Sequence, residues 1–138
     1  MYKTILVTLD GTPTDRAIIE HVKALAQVMH SQLVLLHVVT SAPAKYHGDN
    51  VAGTAVEQAQ AYLNRVQAEF AAAGIGAKTE LAYGEAVKEI VRWVQQKSCD
   101  LVAMSTHGHR FVADLVLGAT ASAVQHSISV PVLLLRAK

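Results

Sequence analysis

Asp100-Leu101-Val102-Ala103-Met104-Ser105-Thr106-His107-Gly108 is the stretch that decides how this chain is read. Leu101 to Met104 form an apolar run of strand length, of the kind found in strands covered on both faces. The small and polar residues Ser105 to Gly108 read as the turn that closes it. Nine residues then separate Gly108 from Gly118, which opens into Ala119-Thr120 and a short helix from Ala119 to His126. A second buried strand, Val130-Pro131-Val132-Leu133-Leu134-Leu135, follows and ends at Arg136. In an open parallel sheet, the region beyond the strands' C-terminal ends is where phosphates and nucleotides bind.

Working back from there, strands and helices alternate. Thr4-Ile5-Leu6-Val7-Thr8-Leu9 is a β-rich run closed by Asp10-Gly11. Ile18, Val22, Leu25 and Met29 recur at helical spacing after Pro13, and Leu33 to Val39 is another continuous apolar run. Thr40 to Gly53, with Pro43, Gly48 and Gly53, reads as a long irregular loop. Val56, Ala59, Leu63, Val66 and Phe70 define a second helix ending near Gly74, and Thr79-Glu80-Leu81-Ala82 a weaker strand ended by Gly84. Val87, Ile90, Val91 and Val94 mark a third helix that leads through Cys99 into the strand of the opening stretch.

The pattern is β-α-β-α-β-α-β-α-β over residues 1–138, without repeats or a domain linker. It predicts an α/β chain in one domain: a doubly wound, five-stranded parallel sheet with helices on both faces. If the winding reverses after the third strand, the strand order is 3-2-1-4-5. Strands one and four are then neighbours, and Asp10 meets the Ser105–Gly108 turn.

Composition narrows the class of function. Hydrophobic residues make up 51% of the 138, which excludes intrinsic disorder. A net charge of +1, with no run of Lys or Arg, gives no electrostatic reason to bind nucleic acid or an acidic membrane. No apolar run reaches the roughly 18 residues that a membrane span needs. Cys99 stands alone, so no internal disulfide forms, and no secretory leader is evident; the expectation is a soluble cytoplasmic protein.

The site residues admit more than one role. Gly108 and Gly118 let backbone N–H groups approach an anion, or serve only as turn glycines. Thr120 and Ser122 supply hydroxyls to a phosphate or cap the last helix. Asp10 accepts hydrogen bonds from a base or ribose, or forms the turn before Gly11. His107 and His109 lack the further ligands of a structural metal site apart from Asp114, so no metal is expected. Ser105 lacks the Gly-x-Ser-x-Gly elbow of a hydrolase nucleophile, and no P-loop lysine motif is present. No catalytic residue is expected. Cys99 reads as a packed thiol and Trp93 as core or interface.

With these residues in place, the whole chain resembles the universal stress protein family. The resemblance rests on Tyr2 to Val7 with Asp10-Gly11, Leu35-Leu36-His37-Val38, Asp100 to Met104 with Thr106-His107-Gly108, Leu117-Gly118, and Val130 to Leu133. The nucleotide-binding branch of that family carries Gly-x-x-Gly, nine residues, then Gly-[Ser/Thr]. Here Ser105 replaces the first glycine and Ala119 the final hydroxyl residue, while Gly108 and Gly118 keep the spacing. The resemblance implies that Asp10, Val38 and Met104 line an adenine end. It implies that Ser105, His107, Gly108, Gly118, Ala119 and Thr120 surround ribose and phosphates.

It also implies ATP or AMP as the ligand, with Mg²⁺ as an optional companion, and a non-catalytic stress-response sensor or adaptor. The family commonly dimerises through its last strand, so a homodimer through the apolar fifth strand is expected. Two other functions compete. One is an interaction module whose nucleotide site has decayed, motivated by Ser105 and Ala119. The other is a slow ATPase in the same pocket, which the lack of a lysine and of a carboxylate pair disfavours.

Overall fold

A computed structural model of the chain describes residues 1–39, 49–107, 120 and 122–137. In order these form β1 (Thr4–Thr8), α1 (Asp15–Met29), β2 (Gln32–Val39), α2 (Asp49–Ala72), β3 (Ala77–Tyr83), α3 (Ala86–Gln96) and β4 (Leu101–His107). A short helix, α4 (residues 122–127), and β5 (Val132–Ala137) complete the chain. All four strand pairings are parallel, and the order across the sheet is β3-β2-β1-β4-β5. The expected α/β topology therefore holds, including the reversal of winding after the third strand.

Strict alternation divides the apolar residues between two cores. Ile5, Val7, Leu33, Leu35, Leu101 and Ala103 face one way, where Ile18 and Val22 of α1 and Leu63, Val66 and Phe70 of α2 cover them. Leu6, Val34, Leu36, Val102 and Met104 face the other, under Ile90 and Val94 of α3 and Val124 of α4. A period of two in a strand sends successive side chains to opposite faces, so a run that is apolar throughout has to be covered twice. Ile5, Leu6, Val7, Leu35, Leu36 and Val102 are all fully buried.

Polar groups fix the register at the lower edge of the sheet. The Asp100 carboxylate accepts the Lys3 N–H at 2.9 Å and the Thr4 N–H at 3.0 Å, and the Asp100 N–H donates to the Thr4 carbonyl at 2.9 Å. The start of β4 is thereby locked to the start of β1. In α1 the last turn closes on His30, which takes the left-handed conformation (φ 57°) and donates its N–H to the Ala26 carbonyl. The N–H of Ser31 shares that acceptor at 3.1 Å, and Ser31 bonds the Tyr2 carbonyl through its hydroxyl.

Several boundaries differ from the sequence reading. Ser105, Thr106 and His107 are strand residues, not a turn, because they pair with Leu135, Arg136 and Ala137 of β5. The polar run hid this, since edge pairing needs backbone groups and no apolar side chain. Residues 49–53, expected in a loop, form the first turns of α2, Gly53 included. Residues 40–48 of that expected loop lie outside the described residues. In β5 the pairing starts at Val132, not Val130, and runs to Ala137, while Pro131 contributes only its carbonyl, to the Val102 N–H at 3.1 Å.

Candidate functional site

The sheet's winding reverses between β1 and β4, whose ends lie side by side: Val7 is in register with Ala103 of β4 and with Leu35 of β2. Helix connections leave β1 toward β2 and β4 toward β5, in opposite directions, so a crevice opens at the C-terminal ends of the central strands. Asp10, Val38, Ser105 and His107 stand at or near the ends of these strands.

The rim is shaped by a buried carboxylate. Past Thr8 the chain buries Leu9, whose N–H donates to the Leu36 carbonyl at 2.9 Å, and then turns outward at Asp10. Asp15, in the first turn of α1, is 2% exposed. It accepts the Asp10 N–H at 3.0 Å and the Gly11 N–H at 2.9 Å, and the Tyr62 phenol of α2 donates to it at 2.6 Å. A carboxylate takes such bonds on both oxygens, and a helix N-terminus favours its charge. The loop Asp10-Gly11 is thus wrapped around one negative charge. Gly11 adopts φ +81°, a region that a side chain strains, which is why glycine stands there.

Two further groups stiffen the same corner. His37, near the end of β2, places Nδ1 2.8 Å from the Leu9 carbonyl. A carbonyl only accepts, so Nδ1 carries the proton and donates. Its Cε1 would stand 3.8 Å from a Cβ at position 11, so the imidazole lies directly beneath the loop. Burial, together with the bond to Asp15, pushes the Tyr62 phenol well above its ordinary value of 10.0 and keeps it a donor at neutral pH.

The predicted site residues divide. Asp10 is exposed at the rim. Val38 is half-buried against the α3 side of the sheet, and Met104 belongs to the core on that side with 6% exposure. Ser105 falls, by alternation, on the opposite face, with its Oγ buried and without a hydrogen-bond partner among the described residues. His107 ends β4, and Thr120 is helical and half-buried just before α4. Gly108, Gly118 and Ala119 lie outside the described residues. So the structure brings the ends of β1, β2 and β4 together as expected, but Met104 offers a ligand little more than its edge. Asp15 and Tyr62 were missed. An acidic residue two positions after Pro13 at a helix start was the only signal for Asp15, and nothing local marks Tyr62 as its partner.

Away from the rim, Cys99 is a buried free thiol, pushed up to about 11 first by burial and then by the charge of Asp100. Trp93 packs against the α3 core, between Arg92 at 5.0 Å and Lys97 at 5.6 Å from its ring, as a structural residue would. Among the described residues, no group of three or more His, Cys, Asp and Glu side chains could hold a metal, and no helix is long and apolar enough to cross a membrane.

The model of the universal stress protein family matches residues 1–136. The chain belongs to the universal stress protein family. A family member of Thermus aquaticus, from the QAH/OAS sulfhydrylase 3' region, is 30% identical over 139 residues, covering 99% of this chain and all of its own. The solved structure of MJ0577, a universal stress protein of Methanocaldococcus jannaschii, superposes with a TM-score of 0.87 at 25% identity, covering 100% of this chain and 98% of that one. Two other family structures share the fold. One is a complex with cAMP (TM-score 0.72, 19% identity, 97% and 96% covered). The other, from Archaeoglobus fulgidus, is a complex with dAMP (TM-score 0.70, 13% identity, 96% and 97% covered).

The Asp15 clamp makes a direct prediction. In Asp15→Asn one amide oxygen must serve three donors while the NH₂ group opposes them. Weakening these part-buried bonds lowers stability by about 1–3 kcal/mol. Urea denaturation of the variant measures this; a loss within about 0.5 kcal/mol of zero, the range of neutral surface changes, would show that the clamp carries no load.

Proposed function

We propose that the chain binds an adenine nucleotide, ATP or AMP, in the crevice at the ends of β1, β2 and β4. The observation that carries this reading is the rim itself: an exposed Asp10 held outward by a buried carboxylate, at the switch point of a doubly wound sheet. Complexes of relatives with cAMP and dAMP support the adenine class. Asp10 and Val38, with the edge of Met104, take the base and ribose end. Ser105, His107, Gly108, Gly118, Ala119 and Thr120 take the ribose and phosphates, with Mg²⁺ accompanying ATP.

In this reading the protein is a stress-linked sensor or adaptor, not an enzyme. Binding a nucleotide stabilises the folded chain and so reports nucleotide level to a partner. Ala119 offers no side-chain hydroxyl to a phosphate. One missing donor to a buried phosphate weakens affinity by about tenfold to a hundredfold without abolishing it. Calorimetric titration with AMP and ATP is expected to show saturable one-to-one binding, and Gly118→Val to lose it while the circular dichroism spectrum is retained. A folded Gly118→Val protein with unchanged affinity refutes this placement of the phosphates. The absence of binding up to millimolar nucleotide in the parent chain favours the interaction module instead.

The same reading includes a homodimer through β5. That strand is at the sheet edge, and Leu134 on it is 41% exposed. An unprotected edge strand offers its backbone groups for pairing with a second copy. Sedimentation at micromolar concentration is expected to give the mass of two chains, and a one-chain mass would exclude the dimer.

A further inference from the structure

We propose that the cavity between α1 and α2 is a second binding site, for a small organic anion with an apolar body, and that Tyr62 passes its occupancy to the Asp10 loop. The binding half stands alone; the coupling half rests on the nucleotide reading above. The cavity measures about 450 Å³, within the range of small-molecule pockets. It opens between α1 and α2 and adjoins the strand-end rim at Gly11. Pro13, Ile19, Val66 and the Tyr62 ring give it apolar walls, and Arg16 and Arg65 stand at its mouth.

Charge decides the class of ligand. Arg16 and Lys23 both bond the Glu69 carboxylate, Lys23 at 2.8 Å, and both pair with Glu20, at 3.1 Å and 3.7 Å. Glu69 is accordingly held below the usual carboxylate range, first by Lys23. Its charge is satisfied and offers nothing to a cationic ligand. Arg65 has no carboxylate partner among the described residues. Its guanidinium instead lies 5.8 Å from the centroid of the Tyr62 ring. Glu69 is closed by Arg16 and Lys23, and the Asp15 carboxylate behind Tyr62 by its own three donors, so Arg65 is the cation at the cavity left without a carboxylate among the described residues. A guanidinium beside an aromatic face suits a flat molecule bearing one carboxylate: the ring stacks and the carboxylate meets the fork.

The route to the loop is short. Tyr62 lines the cavity with its ring and donates its phenol to Asp15 Oδ2 at 2.6 Å. That oxygen also accepts the Gly11 N–H at 2.9 Å and the Asp10 N–H at 3.0 Å. Gly11 itself forms part of the cavity wall. A molecule seated against Tyr62 and Gly11 thus bears on both ends of the clamp that sets Asp10.

The probe is 2-naphthoate, with the neutral 2-naphthylmethanol as control, titrated into the full chain by ligand-observed NMR. Saturable binding is expected. It should weaken about tenfold for the alcohol and for Arg65→Gln, the equivalent of one charge-assisted hydrogen bond. No saturable binding at millimolar probe, or equal binding by Arg65→Gln, overturns the site. AMP titrated with and without naphthoate tests the coupling. A changed AMP affinity in the parent chain that is absent in Tyr62→Phe supports it, and an unchanged affinity overturns it. Competitive displacement of naphthoate by AMP overturns the separation of the two sites. A chain that binds naphthoate but not AMP removes the nucleotide reading while leaving the anion site in place.

Discussion

The buried Asp15 carboxylate is the interaction on which the strand-end rim of this molecule depends. One charge, withdrawn from water, is compensated by two backbone N–H groups of the β1–α1 loop and by the phenol of Tyr62. An unpaired buried charge costs several kcal/mol, so the loop has little freedom to adopt another shape. Three elements meet there: the end of β1, the first turn of α1 and the middle of α2. Asp10 points outward because its backbone is committed inward, and Gly11 takes its positive φ because the loop must curl around the carboxylate. His37 holds the floor of the same corner through the Leu9 carbonyl.

Beneath this corner the sheet is built from two alternating apolar sets, and that part was written plainly in the sequence. Continuous runs such as Leu33 to Leu36 and Leu101 to Met104 require cover on both faces, which in turn requires helices on both sides and hence parallel strands. The reversal of winding gave the strand order, and the order put β1 beside β4. What the sequence did not show follows from interactions that leave no apolar signature. Ser105 to His107 continue β4 by backbone pairing with β5, and the helical turns at residues 49–53 precede the first regular apolar face of α2. Asp15 and Tyr62 stand 47 residues apart, and only the packing of α2 beside α1 makes them partners.

The candidate site was legible to a similar depth. Asp10 stands exposed just past the end of β1, where an Asp-Gly pair after a strand is expected. Met104 was placed beside a ligand by the family resemblance alone, and its parity along β4 puts it in the α3-side core. Ser105, one residue on, has the opposite parity, and its buried Oγ has no partner among the described residues. Membership of the universal stress protein family accounts for the architecture over residues 1–136.

The most direct test of the account is an amide-resolved titration of the full chain with AMP, followed by ¹H–¹⁵N correlation spectra. The account predicts saturable shifts concentrated at Asp10, Gly11, Val38 and Ser105, at the ends of β1, β2 and β4. Saturable shifts confined to the α1–α2 groove, or no shifts at all at millimolar AMP, would contradict the central claim that the nucleotide site lies at the switch point.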